Sequence, residues 1–145
     1  MEKLKFDSGI REFDLGCGVL RFNPADPNLY SRFLKGAEEL KSLEKELTEK
    51  AAALQEDTDG AQVVALLVEA DTKMKVLLGK VFGEENDFEK ILKGVNLMAV
   101  ATNGQRVVTN LLQVLEPVLL EGAELCAREK TQAARQKAQR RRAGQ

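Results

Sequence analysis

The chain contains no histidine, no tryptophan, only two cysteines and three prolines, and no long apolar run. Each absence excludes something. Without histidine there is no Ser-His or Cys-His nucleophile pair, and the commonest general base and zinc ligand are both missing. Cys17 and Cys126 lie far apart in sequence and lack a C-x-x-C spacing, which suits free thiols in a reducing compartment better than a disulfide scaffold. The longest strictly apolar run, Val63 to Val68, falls far short of the ~20 residues of a membrane span, and no secretory segment follows Met1-Glu2-Lys3. A cytoplasmic protein without membrane, metal or cofactor is the expectation.

What the chain does have is helical periodicity behind a short strand-like beginning. In Glu12-Phe13-Asp14-Leu15 and Leu20-Arg21-Phe22 apolar and polar residues alternate, and Gly16-Cys17-Gly18 supplies a turn between them. Leu4 and Phe6 alternate in the same way with Lys3, Lys5 and Asp7, which predicts a third strand broken at Ser8-Gly9, hence a small meander over residues 3–22. Asn23-Pro24-Ala25-Asp26-Pro27 then reads as a helix start, with Asp26 as cap and Pro27 in the first helical position.

From there the pattern is α-helical. Leu29, Phe33, Ala37, Leu40, Leu47, Ala51 and Leu54 form one stripe, interrupted at Glu44, that fits either a coiled-coil-like contact, within the chain or with a second copy, or an amphipathic helix on its own core. Residues 56–60 read as a loop in which Asp59 caps a second helix to about Phe82, with Val63, Leu67, Ala70, Met74, Leu77 or Leu78, and Val81 on its inner face. A short helix is predicted over Phe88 to Lys93, and the last helix from about Thr102-Asn103-Gly104. Its apolar residues, from Val107 to Leu120, cover more than one face, and Pro117 predicts a kink or break near Glu116.

Charge is segregated. From Arg128 to Arg142 there are seven Lys/Arg and one acid, Glu129, so this segment is +6 and the remainder −7, for a net charge of −1. The domain reading is therefore a single α-rich unit over 1–127 and a basic tail, helical or disordered, over 128–145. Such a tail serves as a solvated helix end that suits the helix dipole, or as a contact for an acidic partner or nucleic acid. The nucleic-acid reading rests on Arg140-Arg141-Arg142 alone, because no aromatic residue follows Phe88 to stack on bases.

No catalytic constellation is visible. The carboxylates of the first helix alternate with lysines as on a solvated face, and Leu78-Gly79-Lys80-Val81 lacks the earlier glycine and the Ser/Thr of a phosphate loop. Gly16-Cys17-Gly18 offers a thiol with no neighbour to activate it.

Taken in order, several stretches resemble the tail assembly chaperones of long-tailed phages and prophages of Gram-positive bacteria. They are the Leu-Lys-Phe-Asp beginning at Leu4, Arg-Glu-Phe-Asp-Leu from Arg11, Phe-Asn-Pro-Ala-Asp-Pro-Asn from Phe22, and Tyr-Ser-Arg-Phe from Tyr30. Leu78-Gly79-Lys80-Val81-Phe82-Gly83, Asn103-Gly104 and Leu115-Glu116-Pro117 continue the resemblance. It implies a mainly α protein with a small N-terminal antiparallel β-hairpin or meander, made in the cytoplasm of the bacterial host during virion assembly and absent from the mature virion. It further implies binding to the tape measure protein and recruitment of tail tube protein, with no enzymatic activity. The residues assigned to partner contact are Leu111, Leu115, Val118 and Leu119 for apolar coverage, and Arg135, Lys137, Arg140, Arg141 and Arg142 for steering. A structural tail or connector protein and a nucleic-acid-binding module stand as competing readings, and a homo-oligomer is compatible with any of the three.

Overall fold

Helix dominates because, after Pro27, apolar residues recur at helical spacing with few breakers. The computed structural model describes the backbone of residues 1–54 and 60–143, and the side chains of these residues except 129–134 and 142–143. Two strands, β1 (Arg11–Asp14) and β2 (Val19–Phe22), are followed by helices α1 (Pro27–Ala52), α2 (Gly60–Phe82), α3 (Phe88–Ile91) and α4 (Val107–Ala143). The expected loop over 56–59 and its Asp59 cap lie outside the described residues.

The hairpin forms where the alternation places it. β1 and β2 pair antiparallel with Phe13 opposite Leu20 and Glu12 opposite Arg21, and the Leu15 N–H donates to the Gly18 carbonyl across the turn at 2.9 Å. Leu20 and Phe22 are buried while Val19 and Arg21 face solvent. A two-stranded sheet is marginal alone, so its apolar face needs cover. Rings supply it: Phe13 stacks on Phe22 at 4.6 Å, Phe22 meets Phe82 of α2 edge-on at 5.0 Å, and Phe82 lies 5.8 Å from Phe88 of α3.

The expected third strand does not form. Residues 1–10 join no ladder, and the sheet has two strands. The reason is local. A two-residue hairpin link through Ser8-Gly9 needs positive φ at its first position, whereas in this stretch only Gly9 has positive φ, +78°. The link is instead pinned sideways, with Gly9 N–H donating to Asp7 Oδ1 at 2.8 Å and Asn23 Nδ2 donating to the Ser8 carbonyl at 3.1 Å.

Asp26 caps α1 as read, its carboxylate accepting the Asn28 N–H at 2.9 Å. The α1 stripe packs within its own chain: Leu29 and Leu40 are buried, and Phe33, Leu43 and Leu47 pack partly buried against the same core. α2 runs back antiparallel to α1, so that Arg32 near the start of α1 donates through Nε to the Val81 carbonyl at the end of α2, 3.0 Å away. Met74, Leu78 and Val81 carry the inner face of α2, but Val63, expected there, is exposed.

α4 also lies antiparallel to α1. Its core face is Val108, Leu111, Leu115 and Leu119, and Gly122 reaches the Pro24–Ala25 corner so closely that a Cβ there would clash with the Pro24 carbonyl. The helix starts at Val107 rather than at 102–104, because the preceding residues fold back on themselves. Val100 bridges Arg106, Ala101 N–H donates to the Gln105 carbonyl, and Val107 and Val108 N–H groups donate to Ala99 and Leu97 carbonyls. The short helix likewise ends at Ile91 rather than Lys93, where positive φ at Lys93 and Gly94 turns the chain. Of the kink or break expected near Glu116, the break does not occur, and α4 continues through Pro117. Gln113 and Pro117 are both exposed, so water can take the carbonyl that proline leaves unpaired.

Candidate interaction surface

Of the residues expected to touch a partner, three are used by the fold itself. Leu111, Leu115 and Leu119 are 7%, 2% and 0% exposed, and a side chain already removed from water has no apolar surface left to offer. This corrects the expectation. Successive side chains at steps of four and seven share a helix face, and Leu111, Leu115, Leu119 and Gly122 make that face the inner one. The surplus apolar surface lies to one side of it: Val114 is exposed, Val118 half-buried and Leu125 exposed, at spacings of four and seven. Of the four apolar residues expected to touch a partner, Val118 is the one that keeps part of its surface open.

A second apolar line runs along α2. Val64, Val68 and Val76 are 57%, 53% and 56% exposed, with Thr72 completing the step-of-four row. Thr72 returns its hydroxyl to the Val68 carbonyl at 3.2 Å, leaving its methyl group to the row. Exposed β-branched residues in register on one helix face form a continuous strip rather than scattered surface residues. A hollow of about 500 Å³ also lies where Leu47 and Ala51 of α1 face Leu66 of α2 and Met98.

Beyond Cys126 the described side chains of α4 are exposed, including Arg128, Arg135, Lys137, Arg140 and Arg141. From residue 127 onward the helix extends for roughly 25 Å at 1.5 Å per residue. Its charges do not share one face, since Arg135 and Lys137, two positions apart, point about 200° apart around the axis. The result is a rod basic on several sides, suited to long-range attraction rather than to one register of ion pairs. The Arg142 side chain lies outside the described residues.

Two polar arrangements escaped the sequence reading. The Lys75 ammonium, nearly buried, sits 2.9 Å from Asp71 Oδ2 and 2.6 Å from Glu89 Oε2, while Asp71 Oδ1 accepts the Leu97 N–H at 2.7 Å. Burial pushes the Lys75 pKa down, but the hydrogen bonds and charges of Glu89 and Asp71 outweigh it, and the ammonium is held above its ordinary value. No buried polar atom of the cluster lacks a partner, and its bonds tie α2 to α3 and to the 95–98 stretch. The available signal was a Lys four residues after an Asp, both flanked by core positions Ala70 and Met74.

Asn86 is the other. Its Oδ1 accepts the Arg21 N–H at 3.0 Å, and its Nδ2 donates to the Arg21 and Phe82 carbonyls at 2.7 and 2.9 Å. The side-chain amide thus imitates a neighbouring strand on the outer edge of β2. No sequence period marks such a role.

Cys17 and Cys126 are free and partly buried. Among the described residues no three His, Cys, Asp or Glu side chains gather as metal ligands, and no helix is long and apolar enough to cross a membrane. Compared with protein-family models, with curated proteins and with solved structures, the chain gives no significant match in any of the three.

Proposed function

We propose that the chain is a phage tail assembly chaperone that acts by contact, shielding apolar helical segments of the tape measure protein and bringing tail tube subunits to it. The observation that supports this best is the pairing of an apolar seam, exposed Val114 and Leu125 with half-buried Val118 between them, with the basic rod that continues the same helix. An elongated, aggregation-prone partner needs apolar cover along its length, and an amphipathic segment laid along such a seam obtains it. The rod accelerates encounter with acidic stretches, since attraction between opposite charges acts over about a Debye length before any contact forms.

The order of sequence features that resembles the chaperone family carries the identity of the partner, and the surface agrees with it in kind. On this reading the protein works in the host cytoplasm and is left out of the finished virion. Co-expression with the neighbouring tape measure and tail tube proteins, followed by affinity purification of this chain, tests it. Tape measure protein in the eluate supports the reading. If both proteins stay soluble without the chain and neither co-purifies, the reading is wrong.

A further inference from the structure

Residues 1–10 form an arm whose apolar side chains have no seat in their own chain. Leu4 and Phe6 are 88% and 85% exposed, yet they alternate with Lys3, Lys5 and Asp7 as in a half-buried strand. The same molecule presents an unfilled strand edge. Asn86 takes the Arg21 N–H and carbonyl on the far side of β2, so Arg21 and its partner Glu12 form a non-hydrogen-bonded pair, and by alternation so do Asp14 and Val19. The main-chain groups of Glu12 and Asp14 therefore point outward from β1, where no strand lies among the described residues. β2 has its edge closed by Asn86, and β1 has not.

The arm cannot close that edge within its own chain, because Ser8 lacks the positive φ of a tight hairpin link and the Ser8 carbonyl is held by Asn23. We propose that residues 3–7 of one copy add as an antiparallel strand to the outer edge of β1 in a second copy. The register that sets Leu4 opposite Phe13 keeps the apolar residues on the core face and brings Phe6 to Arg11, whose guanidinium already lies 5.1 Å from the Phe13 ring. It also sets Lys5 opposite Glu12 and Lys3 opposite Asp14, two pairs of opposite charge on the outer face. Glu12 is free to take a second cation, since it is 66% exposed and only loosely paired with Arg21 at 3.5 Å. That complementarity, strand and edge supplied by one sequence, is why a second copy and not an unrelated peptide is the occupant. Reciprocal exchange closes a two-fold dimer and removes the edge from solvent.

Charge exchange tests this with full-length chains. Sedimentation velocity over a concentration series should show the wild-type chain self-associating. Lys5→Glu and Glu12→Lys should each weaken association, roughly tenfold in Kd if two opposed pairs become like-charged. Their equimolar mixture should recover wild-type association. In a mixed dimer the introduced carboxylate on one arm faces the introduced ammonium on the other copy's β1, and the reciprocal contact keeps the native Lys5 and Glu12. Phe6→Ser, at a side chain 85% exposed in the single chain, should weaken association while leaving the melting curve unchanged at concentrations where both chains are monomeric. A wild-type chain that stays monomeric across the series, variants that associate like the wild type, or a mixture that fails to recover would each overturn the proposal. The outcome is independent of whether tape measure protein is the partner.

Discussion

At the scale of single residues, the side chains that organise this protein are polar ones in apolar surroundings. Asn86 joins the hairpin to the end of α2 with three hydrogen bonds, and Asn86→Ala leaves the Arg21 N–H and two carbonyls without that amide. Unsatisfied buried groups cost about 1–3 kcal/mol, so a urea titration should show that loss of stability. Lys75 makes a prediction of opposite character. Its folded-state pKa stands above the ordinary 10.5, so the ammonium binds its proton more tightly folded than unfolded. The stabilisation is complete below the unfolded value and is lost as pH rises through the higher folded one. The unfolding free energy of the wild type should therefore fall above about pH 10.5, and that of Lys75→Met should fall less, as followed by denaturant titration at a series of alkaline pH values. Neither residue was legible beforehand. A period of apolar residues records which faces are buried, not which polar groups are carried inside with a partner from a distant stretch of chain.

At the scale of elements, legibility follows how local the deciding interaction is. The hairpin, the Asp26 cap and the start of α1 at Pro27 are set by neighbours in sequence, and they lie where alternation and capping chemistry put them. The missing third strand turned on a single backbone angle at Ser8, which composition does not encode. In α4 the exposed basic end was readable, but the starting residue, the continuity through Pro117 and the inner face were not. Nine apolar residues from Val107 to Leu120 leave the choice of face to α1 and to the Pro24 corner that Gly122 meets, so Leu111, Leu115 and Leu119 went inward and Val114 and Leu125 remained outside. The exposed basic end of α4 carries its own prediction. On the proposed chaperone role, replacing Arg140, Arg141 and Arg142 by glutamine should lower the association rate with tape measure protein roughly tenfold at low salt and flatten its salt dependence, while the dissociation rate stays near wild type. Stopped-flow association at two ionic strengths reads both. Unchanged on-rates at low salt would remove the steering role.

At the scale of the whole molecule, a helical body capped by a small hairpin turns outward, among the described residues, the N-terminal arm, the α4 seam, the valine row of α2 and the basic rod. Exposed apolar lines cost solubility unless something covers them. The proposed chaperone role assigns the α4 seam to the tape measure protein. The most direct test is light scattering of tape measure protein diluted from denaturant into buffer containing this chain, wild type or Val114→Asp/Leu125→Asp. The account predicts that wild-type chain suppresses the scattering in proportion to its concentration, and that the double variant, with an unchanged melting curve, does so at least tenfold less effectively, as a loss of two apolar contacts worth ~1.5 kcal/mol or more together implies. Scattering that is the same with and without wild-type chain would contradict it.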